Sequence, residues 1–530
     1  MSTRVLITGA LHPDAVEGLR AHAGLEVHYS PDLPRADLLR EVRTARVLIT
    51  RSETTVDREV IDAASDLKIV ARAAVGVGNI DLEYATRKGI LVMNTPGKNT
   101  NSAAEMTFAL LLAMLRRLPE AQNIVKAGGW DRHRFSGFEL RDKTIGIVGL
   151  GNVGHRVARF ARGFEMKVCA YDPYIAPEIF NRFGATMCTS LEELAGMVDI
   201  LSLHVPLNSE TRGMITDDIL QRMPPGSFVI NAARGGLVGA GDLLKHLESG
   251  HLAGVALDTF EDEPKPDSEL VGHPLVWCTP HIGASTLEAQ AAIGRTVVEQ
   301  VGKAVEGGVV DYPVNLPEIG VMDKPVLKSY AVLAEKLGSL AGQMQAFNPV
   351  RVEMHYRGDI AGLDNALLRL SWMKGYAGHV VDDYVSFVNV NAHFEKMGIE
   401  VIEAKDPDFD YYKSALKVVM FGTGDQRLAL GGIVFDERYI RISLIKDFYF
   451  EVEPTGAMLM IENLDKPGVI GDVGSFLAAE GINISSFSLS RNKKGGRAMA
   501  IVSVDEMLDH DRLGDLLKIP HIEAAHTISL

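Results

Sequence analysis

The chain has 530 residues, is 46% apolar and 23% charged, and carries a net charge of −15. It is too long for one core, so three or four domains are expected, and the acidic balance argues against general nucleic-acid binding, which needs a basic face. The longest strongly apolar run, Phe108 to Leu115, is far too short to span a membrane, and a cytoplasmic protein is expected.

Residues 1–98 alternate β-branched runs with polar helical stretches. The runs 4–8, 46–50, 68–74 and 89–94 read as buried parallel strands of an α/β unit. The first run, RVLIT, is a strand and not a signal peptide. Thr100 to Leu118 reads as a long, largely buried helix ending near Pro119. A second α/β unit opens at Lys143, with strands over 144–149, 167–172, 198–205, 227–233, 254–258 and 276–279. A helical stretch (285–306) and a linker (310–318) follow. Residues 319–452 form a separate mixed region whose clearest strands are 352–360 and 440–452. From 457 the pattern is strand, helix, strand, strand, helix, strand, a βαββαβ unit of ferredoxin-like order. No internal repeat is visible. The three cysteines, Cys169, Cys188 and Cys278, form no CxxC pair and read as small core residues in a reducing compartment. No metal site is expected.

Gly149-Leu150-Gly151-Asn152-Val153-Gly154 is a GxGxxG, weak evidence alone. Here it follows the strand TIGIV and opens an apolar-periodic helix, the context a dinucleotide loop requires. Gly149 permits the tight turn, Gly151 lets backbone approach a pyrophosphate, and Gly154 lets helix pack on strand. The phosphates belong on the helix N-terminus, where amides and the dipole favour an anion. Asp172 ends the next strand; its carboxylate can accept hydrogen bonds from a ribose diol and repels a 2′-phosphate, so NAD is expected rather than NADP.

Three further segments fit together as a hydride-transfer site: Asn231-Ala-Ala-Arg234-Gly-Gly, Asp258-Thr-Phe-Glu-Asp-Glu263-Pro264 and Thr279-Pro-His281-Ile-Gly-Ala-Ser-Thr. Arg234 follows a strand and offers a planar fork for a carboxylate. His281 can accept a hydroxyl proton and return it in the reverse reaction. Glu263 can orient the imidazole and stabilise its charged form. Taken alone, EDEP is more often a solvated acidic turn, and Glu263 gains its role from the pairing with His281.

The motifs VGLGNVG, NAARGGLV, LDTFEDEP and TPHIGAST make residues 1 to about 316 similar to the D-isomer-specific 2-hydroxyacid dehydrogenases. The resemblance implies catalytic roles for Arg234, Glu263 and His281. It implies cofactor contacts from Val75, Gly149, Gly151, Asn152, Val153, Gly154, Asp172, Val205, Ala232, Ala233, Asp258, Gly283 and Ala284. It also implies a split substrate domain (1–98 and 282–316) with a Rossmann domain (99–281) inserted. Arg51, the loop Arg72-Ala-Ala-Val75-Gly76-Val-Gly78-Asn79, the segment 94–105 and the long C-terminal extension resemble the branch of that family that oxidises 3-phospho-D-glycerate, the first step of L-serine synthesis. By that resemblance Arg51, Arg72, Gly76 and Asn99 meet the substrate, and Arg132 reaches a neighbouring subunit's site. Two positions depart from the family loop: Val75 stands where a hydroxyl is usual and Gly78 where an aspartate is usual.

The segment 461–491 resembles the ACT domain, a small ligand sensor, placed here at 454–530 behind an intervening domain at 317–453. Asn463, Asp465 and Asn483 are its candidate effector residues, with L-serine the implied effector, although histidine or tyrosine is usual where Asn463 stands. The fold class implied is α/β: two Rossmann-like doubly wound parallel-sheet domains, an α+β intervening domain and a ferredoxin-like ACT domain. The expected assembly is a homodimer or homotetramer with a small-molecule substrate and no nucleic acid or membrane partner. The alternatives are a dehydrogenase of another D-2-hydroxy acid, a 2-oxoglutarate reductase, or a nucleotide-sensing regulator on the same fold.

Overall fold

A computed structural model describes residues 2–306, 310–316, 325–409 and 412–530. The β-branched runs of the first third become β1 (Thr3–Ile7), β2 (Leu25–Tyr29), β3 (Val47–Thr50), β4 (Ile69–Arg72) and β5 (Leu91–Met93). They form one parallel sheet in the order β2-β1-β3-β4-β5. The edge strand β2, LEVHY, is missing from the sequence reading because it alternates apolar and polar residues instead of running apolar throughout. The long helix Leu287–Val305 returns to this sheet and buries Ile293, Val297 and Val301 against Val5, Ile7, Val16 and Leu19.

The second sheet holds β6 (Thr144–Val148), β7 (Lys167–Tyr171), β8 (Thr186–Met187), β9 (Ile200–Leu203), β10 (Ser227–Asn231), β11 (Leu252–Leu257) and β12 (Val276–Cys278). Its order, β12-β11-β10-β9-β6-β7-β8, reverses between β6 and β9, and every pair is parallel. Ligands of open α/β sheets bind beyond the carboxyl strand ends at such a reversal. The helix Thr100–Leu115 packs on this sheet through Ala104, Phe108, Leu111 and Met114. It stops short of the expected Leu118: Arg117 turns left-handed (φ 50°), and a new helix, Leu118–Lys126, starts with Pro119 in its first turn. Proline favours helix starts because its fixed φ fits and its missing N–H has no partner there.

The segment expected to be a linker is partly structured. Val314 donates its amide to the Val92 carbonyl at 2.7 Å, and the Asn315 side chain accepts from the Val92 amide at 2.8 Å, so 310–316 closes the edge of β5. Residues 317 and 318, and the boundary expected at 316/317, lie outside the described residues.

The third sheet contains β13 (Arg351–Gly358), β14 (Glu400–Asp406), β15 (Ser414–Phe421), β16 (Arg427–Phe435), β17 (Tyr439–Ile445) and β18 (Phe448–Val452), in the order β14-β13-β15-β16-β17-β18. The single strand expected over 440–452 is a hairpin instead: Lys446, at φ 56°, and Asp447 form a two-residue turn between β17 and β18. The last sheet, β19 (Ala457–Leu464), β20 (Ile484–Arg491), β21 (Arg497–Val504) and β22 (Ile522–Ser529), has the antiparallel ferredoxin-like order β20-β21-β19-β22. Alternation along β19 splits its burial. Leu459 and Ile461 face the unit's own helices. Met458 and Met460 join a core shared with Leu340, Ile442 and Phe450 of the preceding unit. Among the described residues no helix is long and apolar enough to cross a membrane.

Candidate active site

Strand register brings the three motif segments level. Asn231 of β10 sits opposite Leu257 of β11, which sits opposite Cys278 of β12. Arg234, Glu263 and His281 follow those strand ends, so all three emerge from the same carboxyl edge. The Glu263 Oε2 and His281 Nδ1 atoms lie 2.7 Å apart, and Glu263 Oε1 accepts from the Phe260 amide at 2.9 Å. The carboxylate is therefore held by backbone before it holds the imidazole. The contact engages Nδ1 and leaves the Nε2 edge of the ring uncommitted to Glu263. A cleft of about 390 Å³ opens beside this pair, lined by Phe260, Pro264, Val271 and Cys278. Cys278 is exposed, unlike the buried Cys169 and Cys188 and contrary to the reading of all three as core residues.

His281 takes a left-handed backbone (φ 53°), costly for a non-glycine residue and maintained only where surroundings dictate it. Asp258 dictates it. This carboxylate is 1% exposed and accepts from Thr279 Oγ1 at 2.6 Å, the Ile282 amide at 2.9 Å and the Gly283 amide at 2.8 Å. Its oxygens thus hold the loop on both sides of His281. Asn231, fully buried at the end of an apolar strand, does the same for the arginine turn. It accepts from the Ala233 and Arg234 amides and donates to the Arg234 carbonyl at 2.7 Å. The sequence reading missed both positioning roles; a buried polar residue closing an apolar run was the available signal. Gly235 permits the contact between loops, since a Cβ there would stand 1.8 Å from the Phe260 carbonyl carbon.

Arg234 crosses to the first sheet. Its Nη2 lies 2.8 Å from where a Cβ on Gly76 would sit. Gly76 in turn accepts from Arg72 Nε at 3.0 Å. Arg72 is 6% exposed, donates to Ser52 Oγ at 3.2 Å, and leaves Nη1 buried without a partner. Burial, opposed by Glu53 and reinforced by Arg51 and Arg234, pushes its guanidinium down to about 10; burial likewise lowers Arg234. Both remain cations at neutral pH. Arg51 follows β3 and donates from Nη1 to the Ala10 carbonyl at 2.9 Å and to Gln290 Oε1 at 2.8 Å. Three arginines thus form a cationic cluster, with Arg72 within electrostatic reach of Arg51 and Arg234, and Arg234 within reach of Glu263. An unpaired buried charge of this kind is expensive unless an anion completes it. Asn99 precedes the helix Thr100–Leu115 and makes no side-chain cap.

The family described as D-isomer specific 2-hydroxyacid dehydrogenase, NAD binding domain, matches residues 108–283. The D-3-phosphoglycerate dehydrogenase intervening domain matches 326–446, and the ACT domain matches 457–521. The D-3-phosphoglycerate dehydrogenase of Methanocaldococcus jannaschii is 35% identical over 527 residues, covering 99% of this chain and 100% of that protein. The chain belongs to the D-3-phosphoglycerate dehydrogenases. The Bacillus subtilis member is 36% identical over 99% of both chains. A crystal structure of cofactor (NAD+)-bound 3-phosphoglycerate dehydrogenase from Entamoeba histolytica superposes with a TM-score of 0.51 at 30% identity, covering 59% of this chain and 99% of that one.

The nucleotide loop of this family member fits NAD. Gly149 turns at φ 88°, with its amide on the Tyr171 carbonyl at 2.9 Å. A Cβ on Gly154 would stand 2.0 Å from the Gly149 oxygen, whereas one on Gly151 would meet nothing within 4 Å. Gly154 is therefore required by packing, and Gly151 keeps space open where a pyrophosphate would lie. Asn152 and Val153 lead into the helix Gly154–Gly163. Asp172 accepts from the Leu150 amide at 2.9 Å and the Tyr174 amide at 3.0 Å, which fixes its carboxylate beside the loop. Val205, two residues past β9, flanks the loop, its Cγ1 lying 2.6 Å from a Cβ built on Gly149. Neighbouring His204, held neutral because burial pushes it down to about 3, contacts Ser202 Oγ through Nε2 at 2.8 Å. The Val75 carbonyl accepts from Asn94 at 2.7 Å, the Ala233 carbonyl from Arg234 Nη1 at 2.6 Å, and the Ala284 carbonyl from Gln290 at 2.8 Å. Ala232 follows β10 in the same turn.

Two sets of expected residues do not converge within one chain. Arg132 is exposed and precedes the turn His133–Phe135. That turn lies near the far end of the Thr100–Leu115 helix, next to Arg117, roughly 24 Å from Asn99 at 1.5 Å per residue. In the terminal unit, Asn463 and Arg491 both align with Ala498, while Ile484, beside Asn483, aligns with Val504 and Ala457 at the opposite strand ends. Asp465 is occupied by Arg491 and the Gly495 amide, Asn463 is 4% exposed, and Asn483 bonds Asp505 at 3.2 Å. The three are not one pocket in one chain, because strand length separates them.

Proposed function

We propose that this chain oxidises 3-phospho-D-glycerate to 3-phosphohydroxypyruvate with NAD, the first step of L-serine synthesis. The observation that carries this reading is the cationic cluster of Arg51, Arg72 and Arg234 next to the His281–Glu263 pair, with Arg72 Nη1 buried and unpaired. A substrate bearing a carboxylate and a phosphate supplies the missing anions. NAD, when bound, supplies the hydride acceptor. Arg234 grips the carboxylate and polarises the C2 oxygen. His281 Nε2 takes the hydroxyl proton while Glu263, on Nδ1, stabilises the resulting imidazolium. Arg51 and Arg72, with Gly76 and Asn99, hold the phosphate end.

Residues 1–98 with 282–316 form the substrate domain in this reading, 99–281 the NAD domain, 317–453 the intervening domain and 454–530 the ACT domain. The chain works as a cytoplasmic homodimer or homotetramer. Arg132 completes a neighbour's cleft, and L-serine binds where Asn463 and Asp465 of one copy meet Asn483 of another. NADH formation from 3-phosphoglycerate, glycerate and 2-hydroxyglutarate, with serine titrated in, tests the substrate reading. Equal specificity constants for glycerate and its phosphate would overturn it.

A further inference from the structure

Gln290 ties Arg51 to the loop that carries His281. It lies in the helix Leu287–Val305, and its side chain is used in both directions. Oε1 accepts from Arg51 Nη1 at 2.8 Å, and Nε2 donates to the Ala284 carbonyl at 2.8 Å. Ala284 lies in the loop that carries His281. Close by, Ser102 Oγ and Thr286 Oγ1 are 2.8 Å apart, joining the same loop to the start of the Thr100–Leu115 helix.

We propose that Gln290 is a positioning residue for the reaction proposed above and sets its selectivity for a phosphorylated acid. The argument rests on charge. Arg51 has three fixed contacts: Nη1 on the Ala10 carbonyl, the same nitrogen on Gln290, and a stem lying over Gly9, where a Cβ would stand 2.6 Å from its Cγ. All are to neutral groups, so the guanidinium is oriented while its full charge is left for an incoming dianion. A carboxylate at 290 would hold Arg51 at least as well but would neutralise it. It would also set an acceptor against the Ala284 carbonyl and release the His281 loop. An amide satisfies both demands because it has one donor end and one acceptor end.

The test compares wild-type protein, Q290E, Q290L and R51A, together with the Q290E/R51A double variant. Specificity constants are measured on 3-phosphoglycerate and on glycerate, with the NAD KM and the thermal midpoint recorded for each. For Q290E the preference for the phosphorylated substrate should fall at least tenfold, mostly through KM, at an unchanged NAD KM. In Q290L, which removes the contact without adding charge, the loss should be smaller. In the R51A background, Q290E should cost far less than in wild type, because the pair acts as a unit. Additive effects in the double variant, or an unchanged preference in folded Q290E, would overturn the inference. A wild-type protein indifferent to the phosphate would instead remove the substrate reading; the Gln290–Arg51 coupling is then read on whichever 2-hydroxy acid is turned over fastest.

Discussion

At the scale of single residues, the decisive contrast is between the His281–Glu263 pair and Arg72. His281 and Glu263 are paired and partly exposed, whereas Arg72 is buried with a nitrogen unsatisfied. Removing the proton acceptor should therefore abolish chemistry without disturbing the fold. His281→Ala is expected to lower kcat by roughly 10²- to 10⁴-fold, the usual contribution of general acid–base catalysis, with NAD affinity retained in a binding titration. Arg72 should behave differently. Arg72→Met removes an incompletely paired buried cation, a change often neutral or stabilising. The thermal midpoint of the ligand-free protein should hold or rise, while KM for phosphoglycerate rises roughly 10- to 100-fold, the value of one or two hydrogen bonds to a charged group. A large fall in the midpoint would show that Arg72 is structural.

At the scale of elements, strand ends and the loops that follow them carry the function, and glycines set how closely those loops approach. Gly151 and Gly154 lie in one loop yet have different constraints. A methyl on Gly154 meets the Gly149 oxygen in the folded chain itself. Gly154→Ala should thus lower stability by about 1–3 kcal/mol, the range for overpacking. Gly151 faces open space, so Gly151→Ala should leave the ligand-free midpoint unchanged and weaken NAD alone. Calorimetric melting with and without NAD separates the two. Asp258 is a further case. Asp258→Asn would turn an amide donor toward one of the backbone N–H groups flanking His281. kcat should fall more than NAD affinity, because a misplacement of about 1 Å can cost 10²-fold in rate; equal losses in both would contradict a positioning role.

At the scale of the whole molecule, the terminal βαββαβ unit is not independent of the unit before it. Met458, Met460, Met499, Ile501 and Ile528 share a core with Leu340, Ile442, Ile445 and Phe448. Gln343 also exchanges two hydrogen bonds with the backbone of Ser529, at 2.8 and 2.9 Å. Residues 454–530 expressed alone would expose that methionine-rich face and should self-associate, which sedimentation would detect. A monomeric, fully folded fragment would contradict the shared core.

Contiguous chemistry was legible without coordinates. The glycine loop, the arginine turn, the EDEP segment and the histidine loop each lie in a short run whose local rules are self-contained, and a strand followed by a loop was enough to place them. The parallel strands were legible because burial on both faces makes them continuously apolar. Elements that depend on a distant partner were not. The edge strand β2 is half polar, and 310–316 acquires order from distant partners such as Ile90, Val92, Asn94 and Gln300. The turn at Lys446 is set by hairpin pairing rather than by its own residues. Convergence in the terminal unit was equally out of reach: sequence named Asn463, Asp465 and Asn483 together, but the sheet register sets them at opposite strand ends. Gln290 carries no motif at all. Its role exists only because helix packing brings it between Arg51 and Ala284, residues whose meeting depends on the return of a helix to a sheet formed more than two hundred residues earlier.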